Sequence, residues 1–268
     1  MTQSISHGLN QAKPLTRFNW AEYLPATIRY IGSVPTIIPP LFSKFDRISI
    51  VNMPHRADRR RQMRVELEAV GLLEDARVQF EPAFRADTTG PFRSQASHGC
   101  FLTHLRLLTE AATSNERILI LQDDCSFTRE IHDYEPETFD IFYGGYEATD
   151  PANLITSEII GAHFMGFSVA AARQASDYLR TLLDPKTEPD PVAAAAPTFD
   201  PAIRPPIDGS LVWFRRSHPK LRTVFRLLSY QRPSRSDITP SRVDRFTYLR
   251  KFVAQGRKLK RRFYRAAN

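Results

Sequence analysis

Residues 117–124 read RILILQDD, which is the strongest strand signal in the chain. The four consecutive Ile and Leu residues at 118–121 predict a buried β-strand. Three polar residues, Gln122, Asp123 and Asp124, follow at once and mark the point where this strand ends. The polar run therefore falls at one edge of the sheet to which the strand belongs.

Patterns typical of strands and helices alternate before this stretch. Strand, helix, strand and helix patterns occupy residues 47–51, 58–70, 78–80 and 100–113. Asp58 is the predicted N-cap of the first helix, and Gly71 is the predicted residue just after its end. The alternation predicts an α/β fold with a mainly parallel, twisted sheet flanked by helices.

The second half of the chain gives weaker patterns. Strands are predicted at residues 139–143 and 163–169, and a helix at 171–183. Residues 184–206 contain seven prolines and four consecutive alanines, which indicate a loop or a mobile flap. The sequence Asp208-Gly209-Ser210 then predicts a turn before a strand at residues 211–214.

The composition excludes several classes of protein. The chain has 268 residues, of which 42% are hydrophobic and 25% charged, as in an ordinary globular protein. Cys100 and Cys125 are too few to form the disulfide framework of a chain of this size, so we expect free thiols and a reducing compartment. No apolar run is long enough for a membrane-spanning helix, and the N-terminus lacks a secretory signal pattern. We therefore expect a cytoplasmic protein.

The positive charge is concentrated at the C-terminus. The chain carries a formal net charge of +8, whereas residues 241–268 contain ten Lys or Arg and one acid, which leaves the remainder near neutral. This tail is predicted to be a basic amphipathic segment that docks on the anionic inner face of a membrane. A helix that packs on the body with a solvated basic face is the alternative. No specific nucleic-acid partner is expected, because the charge is not spread over a face of the domain.

These patterns predict three regions. Residues 1–44 contain closely spaced prolines and are expected to form an extended arm. Residues 45–240 form the predicted domain, with the proline-rich loop at 184–206, and residues 241–268 form the tail.

Asp123 and Asp124 are the first candidate site residues. In an open parallel sheet, ligands bind beyond the carboxyl ends of the strands, where this acid pair falls. Two adjacent carboxylates repel each other unless a cation or a basic group lies between them. Hard oxygen ligands suit Mg²⁺ or Mn²⁺, so a divalent metal site is one interpretation. Two solvated acids that cap the following segment are the other.

Basic residues form a second cluster after the first strand. His55, Arg56, Arg59, Arg60 and Arg61 surround the predicted start of the first helix. Arginines at a helix N-terminus suit a phosphate or a nucleotide. A solvated first helical turn is the simpler account of Arg60 and Arg61.

Asp208 is the candidate general base. It stands on the predicted turn just before the aromatic pair Trp213 and Phe214. An acid beside aromatic side chains suits a sugar site, where the rings stack on an apolar sugar face and the carboxylate accepts a proton. An ordinary turn before a core strand is the alternative.

Three motifs together resemble glycosyltransferase family 25, which includes lipopolysaccharide glycosyltransferases. Residues 50–60, IVNMPHRADRR, resemble its opening motif. Residues 99–104, GCFLTH, resemble its second motif, in which a glycine and a cysteine precede an aromatic residue and Ser-His. Residues 118–124, ILILQDD, resemble its third, an apolar strand that ends in Glu-Asp-Asp.

The resemblance implies a GT-A-like fold and transfer of a sugar, usually from a UDP-sugar, to a hydroxyl of a glycan or lipid-linked glycan acceptor. It implies that Asp123 and Asp124 bind Mn²⁺ or Mg²⁺. It also assigns six residues to nucleotide-sugar binding: Asn52, Arg56, Asp58, Arg59, His104 and Gln122. Two of the positions depart from the family pattern, because Gln122 replaces the usual Glu and Thr103 replaces Ser.

Three hypotheses about function follow. The first is a metal-assisted glycosyltransferase of lipopolysaccharide biosynthesis, with Asp208 as its base. The second is a catalytically silent nucleotide-sugar-binding protein of the same fold, since Gln122 removes one negative charge from the metal site. The third is a nucleic-acid-binding protein that depends on the tail.

Overall fold

The computed structural model describes residues 37–232. Most of the predicted arm and the whole predicted tail, residues 241–268, lie outside the described residues. The described end of the arm is not extended, because Pro40–Lys44 form a short 3-10 helix. Leu41 and Phe42 of that helix are fully buried. The folded domain therefore begins a few residues before the predicted boundary at 45.

The described residues contain ten strands and five α-helices. In chain order these are β1 (Arg47–Asn52), α1 (Ala57–Ala69), β2 (Val78–Pro82), α2 (Gln95–Ser114), β3 (Ile118–Gln122), β4 (Cys125–Phe127), β5 (Ile141–Tyr143), β6 (Glu147–Ala148), β7 (Ile159–Ile160), β8 (Phe164–Phe167), α3 (Val169–Thr181), α4 (Pro191–Ala194), α5 (Ile207–Ser217), β9 (Thr223–Phe225) and β10 (Ser229–Gln231).

Six strands form the central sheet in the order β2-β1-β3-β8-β5-β9. The pairs β1–β2, β1–β3 and β5–β9 are parallel, whereas β8 runs antiparallel to both β3 and β5. Two small antiparallel pairs, β4–β10 and β6–β7, lie outside this sheet. The predicted α/β fold with a mainly parallel sheet and flanking helices is confirmed.

Hydrophobic side chains cover both faces of the sheet. On one face, Met63 and Leu67 of α1 pack with Leu41, Phe42 and the sheet. On the other face, α2, α3 and α5 bury a second cluster against the sheet. Strand β3 contributes side chains to both clusters, because Ile118 and Ile120 belong to one cluster and Leu119 and Leu121 to the other. This alternation explains why four apolar residues in succession are needed.

The start of α1 differs from the prediction. Arg56 occupies the N-cap position without a side-chain cap hydrogen bond, and the predicted cap Asp58 lies inside the first turn. An acid there is still favourable, because it faces the positive end of the helix dipole. The predicted end is confirmed, since Gly71 follows the C-cap Val70 with φ of 71°.

The helix predicted at residues 100–113 begins earlier, at Gln95. The side chain of Ser94 caps it by accepting a hydrogen bond from the backbone N–H of Ser97 at 3.1 Å. The Gly-Cys motif therefore lies within the second turn of this helix rather than at its start.

The turn and strand predicted at residues 208–214 are wrong, since these residues belong to α5. Pro206 precedes the helix, and Ile207, Leu211 and Phe214 are buried at helical spacing. The run Leu211-Val212-Trp213-Phe214 resembles a strand only because the helix is buried on most sides.

The proline-rich segment 184–206 is a loop with one short helix, α4. The buried Arg204 holds the segment by donating hydrogen bonds to the carbonyl groups of Leu182, Asp184 and Thr187 at 2.9 to 3.1 Å. These contacts fix the loop against the end of α3.

No helix within residues 37–232 has the length and apolar character needed to cross a membrane. Cys100 and Cys125 are both free thiols, as predicted.

Candidate functional site

The acid pair lies at the carboxyl edge of the central sheet. Asp123 and Asp124 directly follow β3, and Asn52 is the last residue of the adjacent parallel strand β1. Arg59 reaches the same place from the first turn of α1, the helix that follows β1. The sequence correctly predicts that these residues meet, because parallel strands end at a common edge.

Asp123 is the more tightly held of the two acids. It is 4% exposed, and its Oδ2 accepts a hydrogen bond from Asn52 Nδ2 at 2.7 Å. Its Oδ1 accepts one from Arg59 Nη1 at 3.0 Å. Burial raises the pKa of Asp123, although the bonds from Asn52 and Arg59 oppose the shift. Both oxygens of this carboxylate are therefore already engaged by nitrogen donors of the chain.

Asp124 is held by longer contacts. Its Oδ2 lies 3.3 Å from the same Arg59 nitrogen, so one guanidinium bridges the two acids. Gln231 Nε2 lies 3.3 Å from Asp124 Oδ1 and 3.5 Å from Oδ2. The basic group that two adjacent acids require is thus present. Arg59 offsets only one of the two negative charges, however, so this trio keeps a net charge of −1.

Strand β10, the last strand within residues 37–232, borders the site, a feature that the sequence does not predict. It pairs with β4 and brings Gln231 and Arg232 against the acid pair. Arg232 donates its backbone N–H to the Asp124 carbonyl at 2.8 Å and its Nη2 to the Asp123 carbonyl at 2.6 Å. These residues lie more than 100 positions after the acids, and no local pattern connects the two segments.

Oxygen atoms of the type that a hard divalent cation takes lie beside Asp124. Gln122 Oε1 and Asp124 Oδ1 each accept a hydrogen bond from Gln231 Nε2 at 3.3 Å, so the amide group of Gln231 links the two side chains. Mg²⁺ commonly uses one or two carboxylates and takes further oxygens from phosphates. In the part of the chain that the structure describes, no group of three or more His, Cys, Asp or Glu forms a metal site. The fit therefore depends on Asp124 and amide oxygens, whereas Asp123 anchors Arg59 and Asn52.

Arg56 and Asp58 form a pair beside this cluster. Arg56 donates from Nε to Asp58 Oδ1 at 3.0 Å and from Nη2 to Oδ2 at 2.9 Å. These hydrogen bonds hold the pKa of Asp58 well below its usual value. The Arg56 carbonyl also lies 3.3 Å from Asn52 Nδ2, which links the pair to the acid site.

The GCFLTH motif holds a loop in place. The loop that contains Phe84 passes close to Gly99 of α2. A Cβ atom at position 99 would lie 2.3 Å from the Phe84 carbonyl oxygen, so only glycine permits this close approach. Thr103 Oγ1 accepts a hydrogen bond from the Phe84 N–H at 2.8 Å and donates one to the Gly99 carbonyl at 2.7 Å. The motif thus fixes the segment that follows β2.

His104, predicted to bind the nucleotide-sugar, is fully buried in α2. Its Nδ1 donates to the Cys100 carbonyl at 2.9 Å, and burial lowers the pKa of the ring. A side chain with no exposed surface makes no direct ligand contact in this conformation. His104 therefore lies in the core, and its predicted role in nucleotide-sugar binding stays a prediction.

Asp208 lies in the first turn of α5 and is partly exposed. Its carboxylate accepts hydrogen bonds from the N–H groups of Gly209 at 3.0 Å and Gly161 at 3.4 Å. Burial nevertheless raises the pKa of Asp208. Asp208 and Asp124 both act on the thiol of Cys100, whose pKa burial and these two charges raise to about 12.

His163 is a further polar residue of this sheet edge. Its carbonyl group accepts a hydrogen bond from the backbone N–H of Gln122 at 3.0 Å. His163 therefore lies beside the end of β3, directly before β8 begins. It is 5% exposed, and neither ring nitrogen has a hydrogen-bond partner among residues 37–232. Burial lowers its pKa to about 4, so the ring is neutral at pH 7. From the sequence alone, His163 is predicted to begin a strand, and no functional role is predicted for it.

No protein-family model matches this chain, and no curated protein sequence matches it.

Proposed function

We propose that this chain transfers a sugar from a nucleotide-sugar donor, of the UDP class, to a hydroxyl of a glycan or lipopolysaccharide-type acceptor. One observation carries the proposal: Arg59 bridges Asp123 and Asp124 at 3.0 and 3.3 Å at the carboxyl edge of the sheet. Asn52, Arg56 and Gln122 adjoin this cluster, as the resemblance to glycosyltransferase family 25 implies. A GT-A-like version of the α/β fold is part of the proposal.

The donor diphosphate would lie against Arg59 and Arg56. Cleavage of the bond between the sugar carbon and the diphosphate oxygen leaves negative charge on the phosphates. Guanidinium groups fixed by Asp123 and Asp58 would stabilise that charge without having to reorganise. A bound Mn²⁺ or Mg²⁺, held by Asp124 and Gln122, would supply further neutralisation of the leaving group.

Asp208 is the proposed base. In an inverting reaction, the acceptor hydroxyl attacks the sugar carbon and its proton must be removed. The raised pKa of Asp208 suits this step, because a base works best when its pKa lies closer to the working pH. Its position on the first turn of α5 holds the carboxylate in one orientation.

A panel of nucleotide-sugars tests the proposal. We expect one UDP-sugar to raise the melting temperature and to be hydrolysed slowly when no acceptor is present. Asp208→Asn should lower turnover by about 10²- to 10⁴-fold and leave donor binding unchanged. Asp177→Asn is the matched control, since Asp177 is exposed on α3. If no nucleotide-sugar binds, the proposal is wrong.

The second candidate is a silent nucleotide-sugar-binding protein, favoured by Gln122 in place of an acid. It predicts binding of the same donor without hydrolysis or transfer. The hydrolysis arm of the same panel separates the two candidates.

A further inference from the structure

We propose that the ring of His163 recognises a hydroxyl group of the sugar that this chain transfers. The inference deepens the proposed function and rests on it, because it assumes that a nucleotide-sugar binds at the carboxyl edge of the sheet. It assigns a specificity-determining role to a residue outside the three motifs that resemble glycosyltransferase family 25.

His163 lies in the middle of the carboxyl edge. It directly precedes β8, the strand between β3 and β5 in the central sheet. Because β8 runs antiparallel to both neighbours, β3 and β5 end where β8 begins. The His163 carbonyl accepts the N–H of Gln122 at the end of β3, and its ring lies against Gly145, two residues after β5. His163 therefore lies where ligands bind in a sheet of this kind.

The proposed reaction requires the sugar to lie at this part of the edge. The sugar carbon must face the diphosphate on one side and the acceptor hydroxyl, with its base, on the other. The diphosphate is assigned to Arg59, beside Asp123 at the end of β3. The proposed base Asp208 accepts a hydrogen bond at 3.4 Å from the N–H of Gly161, two residues before His163. This short segment thus connects the two groups between which the sugar must stand.

The ring of His163 is an unpaired polar group in a buried place. The residue is 5% exposed, and in the described part of the chain neither ring nitrogen has a hydrogen-bond partner. Buried polar groups of native proteins nearly always have partners, because an unpaired one is costly. The neutral ring offers one donor and one acceptor. A sugar hydroxyl, which both accepts and donates, complements that pair.

The ring can turn toward a ligand without losing a hydrogen bond. Both nitrogens are covered in this conformation, so contact with a hydroxyl requires the ring to turn about its side-chain bonds. Such a turn would cost His104 the bond from Nδ1 to the Cys100 carbonyl, whereas His163 has no ring bond of this kind within residues 37–232. A Cβ atom at Gly145 would clash with Nε2 of His163, and one at Gly161 would lie 3.2 Å from Nδ1. The two glycines therefore leave the ring space that a side chain would fill.

Burial of the ring sets the expected selectivity. A site that hydrogen-bonds a substrate hydroxyl rejects an analogue without it, because the buried polar group then stays unpaired. The chain should therefore bind one monodeoxy form of its donor sugar more weakly than the parent sugar.

Isothermal titration calorimetry of the full chain tests the proposal with UDP, with the UDP-sugar that the panel identifies and with the monodeoxy forms of that sugar. We expect His163→Phe to weaken binding of the UDP-sugar at least about tenfold and to leave UDP binding unchanged. The variant should also lose the discrimination against the one deoxy form, because it has no group left to pair with that hydroxyl. His132→Phe is the matched control, since His132 is exposed between β4 and β5 and its variant should bind every ligand as the unmodified chain does.

A melting curve checks that the variant is folded. His163→Phe removes two unpaired nitrogens from the interior, so it should melt at or above the temperature of the unmodified chain. If it does not fold, His163→Leu, which also lacks hydrogen-bonding groups, decides the result.

Equal affinity of the unmodified chain and the His163 variants for the UDP-sugar would overturn the inference and leave the transferase proposal intact. So would equal binding of the parent sugar and every monodeoxy form. An equal loss of UDP and UDP-sugar affinity would also overturn it, because the ring would then shape the site without contacting the sugar. If no nucleotide-sugar binds to the unmodified chain, the proposed function fails and the inference fails with it.

Discussion

Arg59 Nη1 lies 3.0 Å from Asp123 Oδ1, and this ion pair ties the first turn of α1 to the end of β3. The side chains of Arg59 and Asp123 are only 11% and 6% exposed, so the pair is largely removed from water. Asn52 completes the arrangement by occupying the other oxygen of Asp123. The proposed role of Arg59 in binding the donor diphosphate depends on this contact.

Arg59→Met should destabilise the fold strongly. Removing one partner of a buried ion pair leaves an uncompensated charge and costs about 3–5 kcal/mol. The loss should shrink as the pH falls, because protonation of Asp123 removes the buried negative charge that Arg59 offsets. Urea unfolding at several pH values measures this change. Arg64→Met, at an exposed position on the same helix, should cost under about 1 kcal/mol. A pH-independent loss would contradict the account.

Gly99→Ala should be destabilising although alanine favours helices. The new Cβ would lie 2.3 Å from the Phe84 carbonyl oxygen, which is backbone and cannot move aside without shifting the loop. Overpacking of this kind typically costs about 1–3 kcal/mol. Thr113→Ala, exposed on the same helix, should change stability by less than about 0.5 kcal/mol. A neutral Gly99→Ala variant in thermal unfolding would show that the loop does not need this approach.

Asp208→Asn should stabilise the protein at neutral pH. The pKa of Asp208 is raised in the folded state, so its contribution to stability is full below the ordinary pKa of about 3.9 and is lost as the pH rises through the raised value. The Asn variant stays neutral and avoids that loss, by about 1.4 kcal/mol for each unit of pKa shift. Unfolding free energies of both proteins at pH 3 and pH 7 measure the difference. A gain that is equal at both pH values would argue against a raised pKa.

Deletion of residues 241–268 should abolish binding to anionic liposomes. The tail carries ten basic residues and one acid, and each basic residue near an anionic surface contributes about 1 kcal/mol. Hydrolysis of the nucleotide-sugar donor should be unaffected, because the described site residues precede this segment. Liposome co-sedimentation with neutral lipid as control measures the effect. Undiminished binding of the truncated chain would refute the docking role.

The sequence predicts the parallel core of the fold well. The strands at 47–52, 78–82 and 118–122 and the helices between them are marked by strong local patterns, and βαβ units permit few arrangements. The helix at 207–217 is missed because a helix buried on most sides loses its polar stripe, and four successive apolar residues then look like a strand.

The candidate site is only partly predictable from the sequence, because some of its residues come from segments that are distant in the chain. Asn52, Arg59, Asp123 and Asp124 follow two adjacent strands of one parallel sheet, so their meeting can be inferred from topology. Gln231 reaches the site through an antiparallel pair of three-residue strands, β4 and β10. Pairing between such short, distant segments leaves no local trace in the sequence. His104 is a motif residue that the fold buries in α2, and the sequence pattern alone does not distinguish a buried histidine from one that binds a ligand.

The most direct test of the account is a crystal structure of the full chain with UDP and Mn²⁺. We expect the diphosphate at the carboxyl edge of the sheet, in contact with Arg59, and the cation between the diphosphate and Asp124. A nucleotide bound elsewhere on the protein, or an Asp124 carboxylate turned away from both groups, would contradict it.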